Sequence, residues 1–171
     1  MSDTLITVIA IFLAAIVMFV FPVMYIAKSN ETISQSNVQA LTNDFVNTAR
    51  TTAKITKEDY DAFIQKLNAT GNKFDVEMEV QVLDENPKKV NSTTIGENLY
   101  YSVYTNDIES ELSKENSTGY KLNEGDVVRV TVKNTNKTMY QMFMTAFMGT
   151  NSDTAAVEAT STGVVTSTGA Q

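Results

Sequence analysis

The chain has 171 residues and a net charge of −7, from 20 acidic and 13 basic side chains, and it contains neither Cys nor His. Without His or Cys, the Ser-His-Asp triad, the Cys-His dyad and the usual zinc sites are all unavailable, so an enzyme is not expected and neither is a metal or cofactor. The acids are spread along the chain and Lys88-Lys89 is the only adjacent basic pair, which argues against a nucleic-acid surface.

Residues 5–27 (LITVIAIFLAAIVMFVFPVMYIA) carry no charge and are interrupted only by Thr7, Pro22 and Tyr25. A bilayer core of about 30 Å needs roughly 20 apolar residues at 1.5 Å rise each, and a segment without water must satisfy its backbone internally, so this stretch predicts a membrane-competent helix. A removable signal peptide has a basic start and an apolar run of about 7 to 15 residues. Here Asp3 precedes a longer run with no Lys or Arg before it, so a stable anchor is expected. Lys28 on the far side is too little to fix its orientation.

After Ala27 the sequence turns polar, with no Gly or Pro to stop the helix. Ile33, Val38, Leu41, Phe45, Ala49 and Ala53 recur at steps of three to five, which predicts one continuous helix over residues 4–54 whose second half is amphipathic. Three regions follow: a hydrophobic helix over 1–27, its amphipathic continuation over 28–55, and an α+β globular domain over 56–171.

Within that domain, Thr56-Lys57-Glu58-Asp59 reads as a capping box with Asp for the usual Glu, and Tyr60, Phe63, Ile64 and Leu67 mark the buried face of a short helix with Gly71 as its C-cap. Residues 74–82 (FDVEMEVQV) alternate apolar and polar, a strand with one core face and one acidic face. Residues 84–98 read as turn and loop, 99–105 as an aromatic strand and 107–112 as one helical turn. Val128, Val130 and Val132 define another strand. Asn134 to Asn136 offer caps for a Met- and aromatic-rich helix over 137–148, and 154–166 closes the domain as a strand. The fold class expected is α+β, with a small antiparallel sheet laid on the amphipathic half of the long helix.

These features resemble the type IV pilins, including the small pilin-like proteins of Tad-type systems. The resemblance rests on the first fifty residues: an uncharged helical run led by Asp3, with Pro22 near its end, continuing into an amphipathic half that backs an antiparallel sheet. It implies a structural subunit of an extracellular filament at the cell surface, held in the membrane before assembly and polymerised with its own copies by a pilus assembly machinery. In the family a Glu near the helix start pairs with a neighbour's N-terminal amine, and a Pro at about this depth marks a bend or melted stretch. The resemblance therefore points to Asp3, Leu5, Ile9, Phe12, Ile16, Phe19, Pro22 and Tyr25 as assembly residues.

Each feature also has a simpler explanation. The helix could anchor a monomeric outward-facing domain or a minor component of a secretion machine; Asp3 could be an N-cap; Pro22 could be a tolerated kink. The Met-rich helix is expected mainly as core, with Met139, Met142, Phe143 and Phe147 as a possible subunit interface. Glu77 and Glu79, with Glu109, Glu111 and Glu115, read as a solvated acidic face rather than a cation site. The Asn-X-Ser/Thr triplets at Asn30, Asn68, Asn91, Asn116 and Asn136 are of the kind chance produces in an Asn- and Thr-rich chain.

Overall fold

A computed structural model describes residues 2–83, 100–115, 117–149 and 155–167. Helix α1 (Ser2–Thr52) is one unbroken element that contains Pro22. At 1.5 Å per residue it is about 75 Å long. It stops because Ala53 takes a left-handed conformation, φ 52°, so the chain leaves the helix without the Gly that usually does this.

Three short elements follow: β1 (Lys54–Ile55), α2 (Lys57–Asn68) and the ten-residue β2 (Phe74–Leu83). The Thr56 hydroxyl caps α2 by accepting from the Asp59 N–H at 3.1 Å and donating to the Asp59 carboxylate at 2.6 Å. Asp59 thus completes the cap through the hydroxyl. The helix ends at Asn68, before Gly71, which follows in the turn with φ 87°.

Next come β3 (Tyr100–Tyr104), α3 (Thr105–Leu112), β4 (Tyr120–Lys121), β5 (Val127–Asn134), α4 (Met139–Met148) and β6 (Glu158–Val164). The main sheet is antiparallel in the order β3-β2-β5-β6, and β1 pairs separately with β4. That small pair packs closely at Gly119, where a Cβ would stand 2.6 Å from the Ile55 carbonyl and φ is +106°, so only glycine fits. Residues 84–98, read from sequence as turn and loop, lie outside the described residues.

The register explains the core. Val76, Met78 and Val80 pair with Val132, Val130 and Val128, and all six point to one buried face. The amphipathic half of α1 covers that face with Val38, Phe45, Val46 and Ala49, while Phe63 of α2 stacks on Phe45 at a ring separation of 4.5 Å. The sheet's other face is polar and carries its own cross-strand pairs: Arg129 reaches Glu79 at 3.4 Å, Lys133 reaches Glu158 at 3.6 Å, and Thr131 meets Thr160 at 3.2 Å.

Two details of α1 differ from the sequence reading. Ile33 is 55% exposed, because the stripe that meets the sheet runs through Ala27, Glu31, Ser34, Val38, Thr42, Phe45 and Ala49 and passes Ile33 by. Gln35 and Gln39 do unexpected work at the outer edge of β6. The Gln35 amide accepts from the Glu158 N–H at 2.9 Å and donates to the Glu158 carbonyl at 2.5 Å, and Gln39 donates to the Thr160 carbonyl at 3.2 Å. A strand edge that would otherwise invite pairing is closed there by helix side chains. Further along, α1 crosses close over β6 at Gly163, where a Cβ would stand 3.0 Å from Arg50 Cδ and 3.1 Å from Val46 Cγ1.

Candidate assembly surface

The first half of α1 leaves the domain behind. Every described side chain over residues 3–26 is exposed except Val20 and Met24, which are half-buried. Leu5, Ile9, Phe12, Phe19 and Tyr25 are all at least half exposed, Phe12 at 68%, and Ile16 is less open at 36%. Leu5, Ile9, Phe12, Ile16 and Phe19 follow one another at steps of four and three and so share one face, and exposed Ile6, Val8, Ile11, Leu13, Val17 and Met18 continue the apolar surface around the helix, which makes a greasy rod suited by length and composition to crossing a membrane. A rod of this kind in water would leave a very large apolar surface without cover.

Asp3 sits inside the first turn of α1, since the helix begins at Ser2, so it is not the residue ahead of the helix that a cap would be. Its carboxylate lies at the positive end of the helix dipole. The Thr7 hydroxyl donates to the Asp3 carbonyl at 2.8 Å, one turn on, which keeps a polar side chain satisfied in an otherwise apolar run. Pro22 interrupts neither the helix nor its continuation, so no melted stretch separates Phe21 from Ala27 in the single chain.

The rod meets the domain at a polar joint. Glu31 is buried to 8% exposure, receives the Lys28 ammonium at 2.5 Å, and accepts a hydrogen bond from the Thr138 hydroxyl at 2.7 Å. Thr138 is also the N-cap of α4: it accepts from the Gln141 N–H, and the Gln141 side chain accepts from the Thr138 N–H at 3.0 Å, a full capping box. Lys28 also lies over the Tyr140 ring, 4.9 Å from its centre. One buried carboxylate therefore ties α4 to the end of the rod. Sequence reading missed Glu31, which looked like one more polar residue of the outer face. The signal was its position, three residues before Ser34 and seven before Val38 on the inner stripe.

The structure corrects the sequence reading of the Met-rich helix. It starts at Met139, capped by Thr138 and not by Asn134 to Asn136, and it is not core: none of its residues is buried. Met139, Met142 and Phe147 are more than half exposed, while Phe143 is half-buried and stacks on Phe147 at 6.2 Å. Half of its ten uncharged residues are thus exposed, on the same end of the domain as the rod.

The acidic residues are placed elsewhere. Glu79 accepts from the Ser102 hydroxyl at 2.8 Å and from the Gln81 amide at 3.3 Å. The Ser102 bond above all, with Gln81 and Arg129, holds its carboxyl below the usual carboxylate range against the opposing effect of burial. Glu109 accepts from Tyr60 at 2.6 Å, and burial first, then this bond, raises the phenol. Glu111 pairs with Lys114. Among the described residues no three acids gather as a metal site. A groove of about 670 Å³ runs past Tyr60, Glu77, Tyr104 and Glu109, where α3 leaves the start of β2 unpaired by β3.

Of the five Asn triplets, Asn30 and Asn68 are exposed. Asn136 is occupied structurally, accepting from the Lys73 N–H at 2.7 Å and donating to Asn72 at 3.2 Å. Asn91 and Asn116 lie outside the described residues. No family model, curated protein or solved structure matches the chain. The long apolar helix packed on an antiparallel sheet is compatible with a pilin-like fold, on architecture alone.

Proposed function

We propose that the chain is a type IV pilin-like structural subunit: it waits in the membrane through residues 5–27 and then polymerises with its own copies into a filament at the cell surface. The observation that carries this reading is the split of α1. One half is embedded in its own domain, and the other, in the same unbroken helix, is uncovered on nearly every side. Apolar area of that size is stable only in lipid or against other apolar helices, and a rod rigidly continuous with a folded domain suits both. The pilus assembly machinery would move it from one to the other. Asp3, drawn into a dry bundle, needs a cationic partner there, because an unpaired buried carboxylate is very costly; a neighbour's terminal amine would serve.

One observation favours a second reading, a monomeric membrane-anchored domain or minor component of a secretion machine. Helix α4 packs on α1, so neighbouring rods can approach the upper turns only from the remaining sides. Negative-stain microscopy of sheared surface material separates the two. Filaments that contain this chain are expected; a detergent-solubilised monomer with no filament would sink the first reading. Asp3→Ala is expected to lower filament yield severalfold with the domain folded, and normal assembly of that variant would leave the acid no role in polymerisation.

A further inference from the structure

Helix α4 lies where a membrane would be, and we infer that its uncharged face is a docking surface for the bilayer itself, seated at the boundary between headgroups and acyl chains. This rests on residues 5–27 being inserted in lipid before assembly, and it adds a second, peripheral contact to that span. The inference comes from where α4 is held. Thr138 bonds Glu31 and Tyr140 lies under Lys28, which fixes the start of α4 beside the top of the rod.

Within residues 3–26, only Val20 and Met24 are half-buried; they share a stripe with Ala27 and Glu31 one and two turns on, and α4 packs on α1. Val20 and Met24 lie about 10 Å and about 5 Å before Ala27 along the helix axis. A span that buries residues 5–26 covers about 33 Å, slightly more than the roughly 30 Å hydrocarbon layer. Its last two turns are therefore at or just beneath the surface, and whatever packs beside them is at the same depth. Interfacial helices sink about 5–10 Å into this boundary.

The chemistry of the joint agrees with that depth. Tyr25 is 77% exposed on the rod, and the Lys28 ammonium stands over the Tyr140 ring of α4, aromatic and basic groups suited to the headgroup layer. The sequence MYQMFMTAFM holds no charge that would resist partial burial in lipid. In water the outward face would leave Met139, Met142, Phe147 and Met148 uncovered; on the bilayer the same face continues the apolar surface of the rod. Two attachment points fix the tilt of the domain over the membrane, where a single helix would let it swing.

The chain has no Cys, so single-Cys variants carry one fluorophore each. Full-length protein with an environment-sensitive probe at Met142→Cys, Phe147→Cys, Phe12→Cys or Glu124→Cys is placed in phosphatidylcholine vesicles at low protein density, with bromine on the acyl chains at a shallow or a deep carbon. Met142 and Phe147 are more than half exposed, so their replacement spares the fold, which far-UV circular dichroism checks. The expected result is strong quenching at position 12 by deep bromine, severalfold quenching at 142 and 147 by shallow bromine, and none at 124. Unquenched probes at 142 and 147 with position 12 quenched would overturn the inference and leave the span intact. An unquenched probe at 12 as well would remove the span and the inference together. A probe at 142 that ignores bromine but shifts to the blue as protein density rises would assign the face to a second copy and overturn the lipid contact.

Discussion

The two halves of α1 share a backbone and differ in what surrounds them. Over residues 27–52 the helix presents a stripe of Ala27, Val38, Phe45, Val46 and Ala49 that the sheet and α2 bury, and its remaining faces carry Asn, Gln, Thr and Asp for water. Over residues 3–26 the chain covers only Val20 and Met24, and those in part, and provides no polar face either. A helix whose stripe is matched by its own domain is finished when it folds; a helix that is apolar all round is specified for a surrounding the monomer does not contain. Stability of the domain and competence of the rod are thus encoded in separate residues of one element.

The largest expected effect tests that separation directly with one substitution made twice. Phe45 is 5% exposed and stacks on Phe63, whereas Phe12 is 68% exposed. Phe45→Ala is expected to cost about 3–5 kcal/mol, the range for an aromatic removed from a packed core. Phe12→Ala is expected to leave domain unfolding unchanged and to weaken only membrane retention or filament yield. Urea unfolding of the full chain in mild detergent, followed by tyrosine fluorescence, reads the first quantity. Equal loss of stability in the two variants would break the division between the halves.

The sequence made the division visible but placed its boundary too simply. Charge-free residues 5–27 and the alternation in β2 and β5 could be read directly, because lipid and a half-buried strand each impose one strong pattern, and the α+β architecture followed from their order. The joint could not be read that way. Glu31 looks polar in sequence, yet two partners, Lys28 one turn before it and Thr138 more than a hundred positions on, satisfy it, and only the folded chain brings the second to it. The Met-rich helix failed for a related reason: composition reports that a residue prefers to leave water, and is silent on whether its own domain or something outside supplies the cover. Gln35 and Gln39 were invisible for want of any pattern, since side-chain amides on a strand edge depend on a register between residues more than a hundred positions apart.

A middle-sized effect is expected at the joint, where the halves are coupled. Glu31→Ala removes the acceptor for Thr138 and the partner of Lys28, and loss of such buried bonds costs roughly 1–2 kcal/mol. Thr138→Ala removes both that bond and the cap of α4, for about 1 kcal/mol of helix-end stability. The consequence is local. Amide exchange is expected to accelerate in α4 and in residues 20–31, with β2 and β5 still protected. Uniform acceleration throughout the domain would mean that α4 is part of the core's cooperative unit after all, and that the comparison should be drawn at Val20 instead of Ala27.

The smallest effect comes from the face that needs neither lipid nor a neighbour. On the solvent side of the sheet, Glu79 is held ionised by Ser102, Gln81 and Arg129, all within its own domain. Its folded-state carboxyl titrates lower than the unfolded value of about 4.3, so its contribution is present above that pH and is lost as pH falls through the folded value. Glu79→Gln is therefore expected to flatten the acid limb of the stability curve below about pH 4 and to cost under about 1 kcal/mol at neutral pH, the usual size for a solvent-facing pair. Thermal unfolding at pH 7 and pH 3 measures both. Filament yield at neutral pH should not move with it, because a carboxylate already bonded to Ser102, Gln81 and Arg129 of its own domain has no interaction left to lend to assembly.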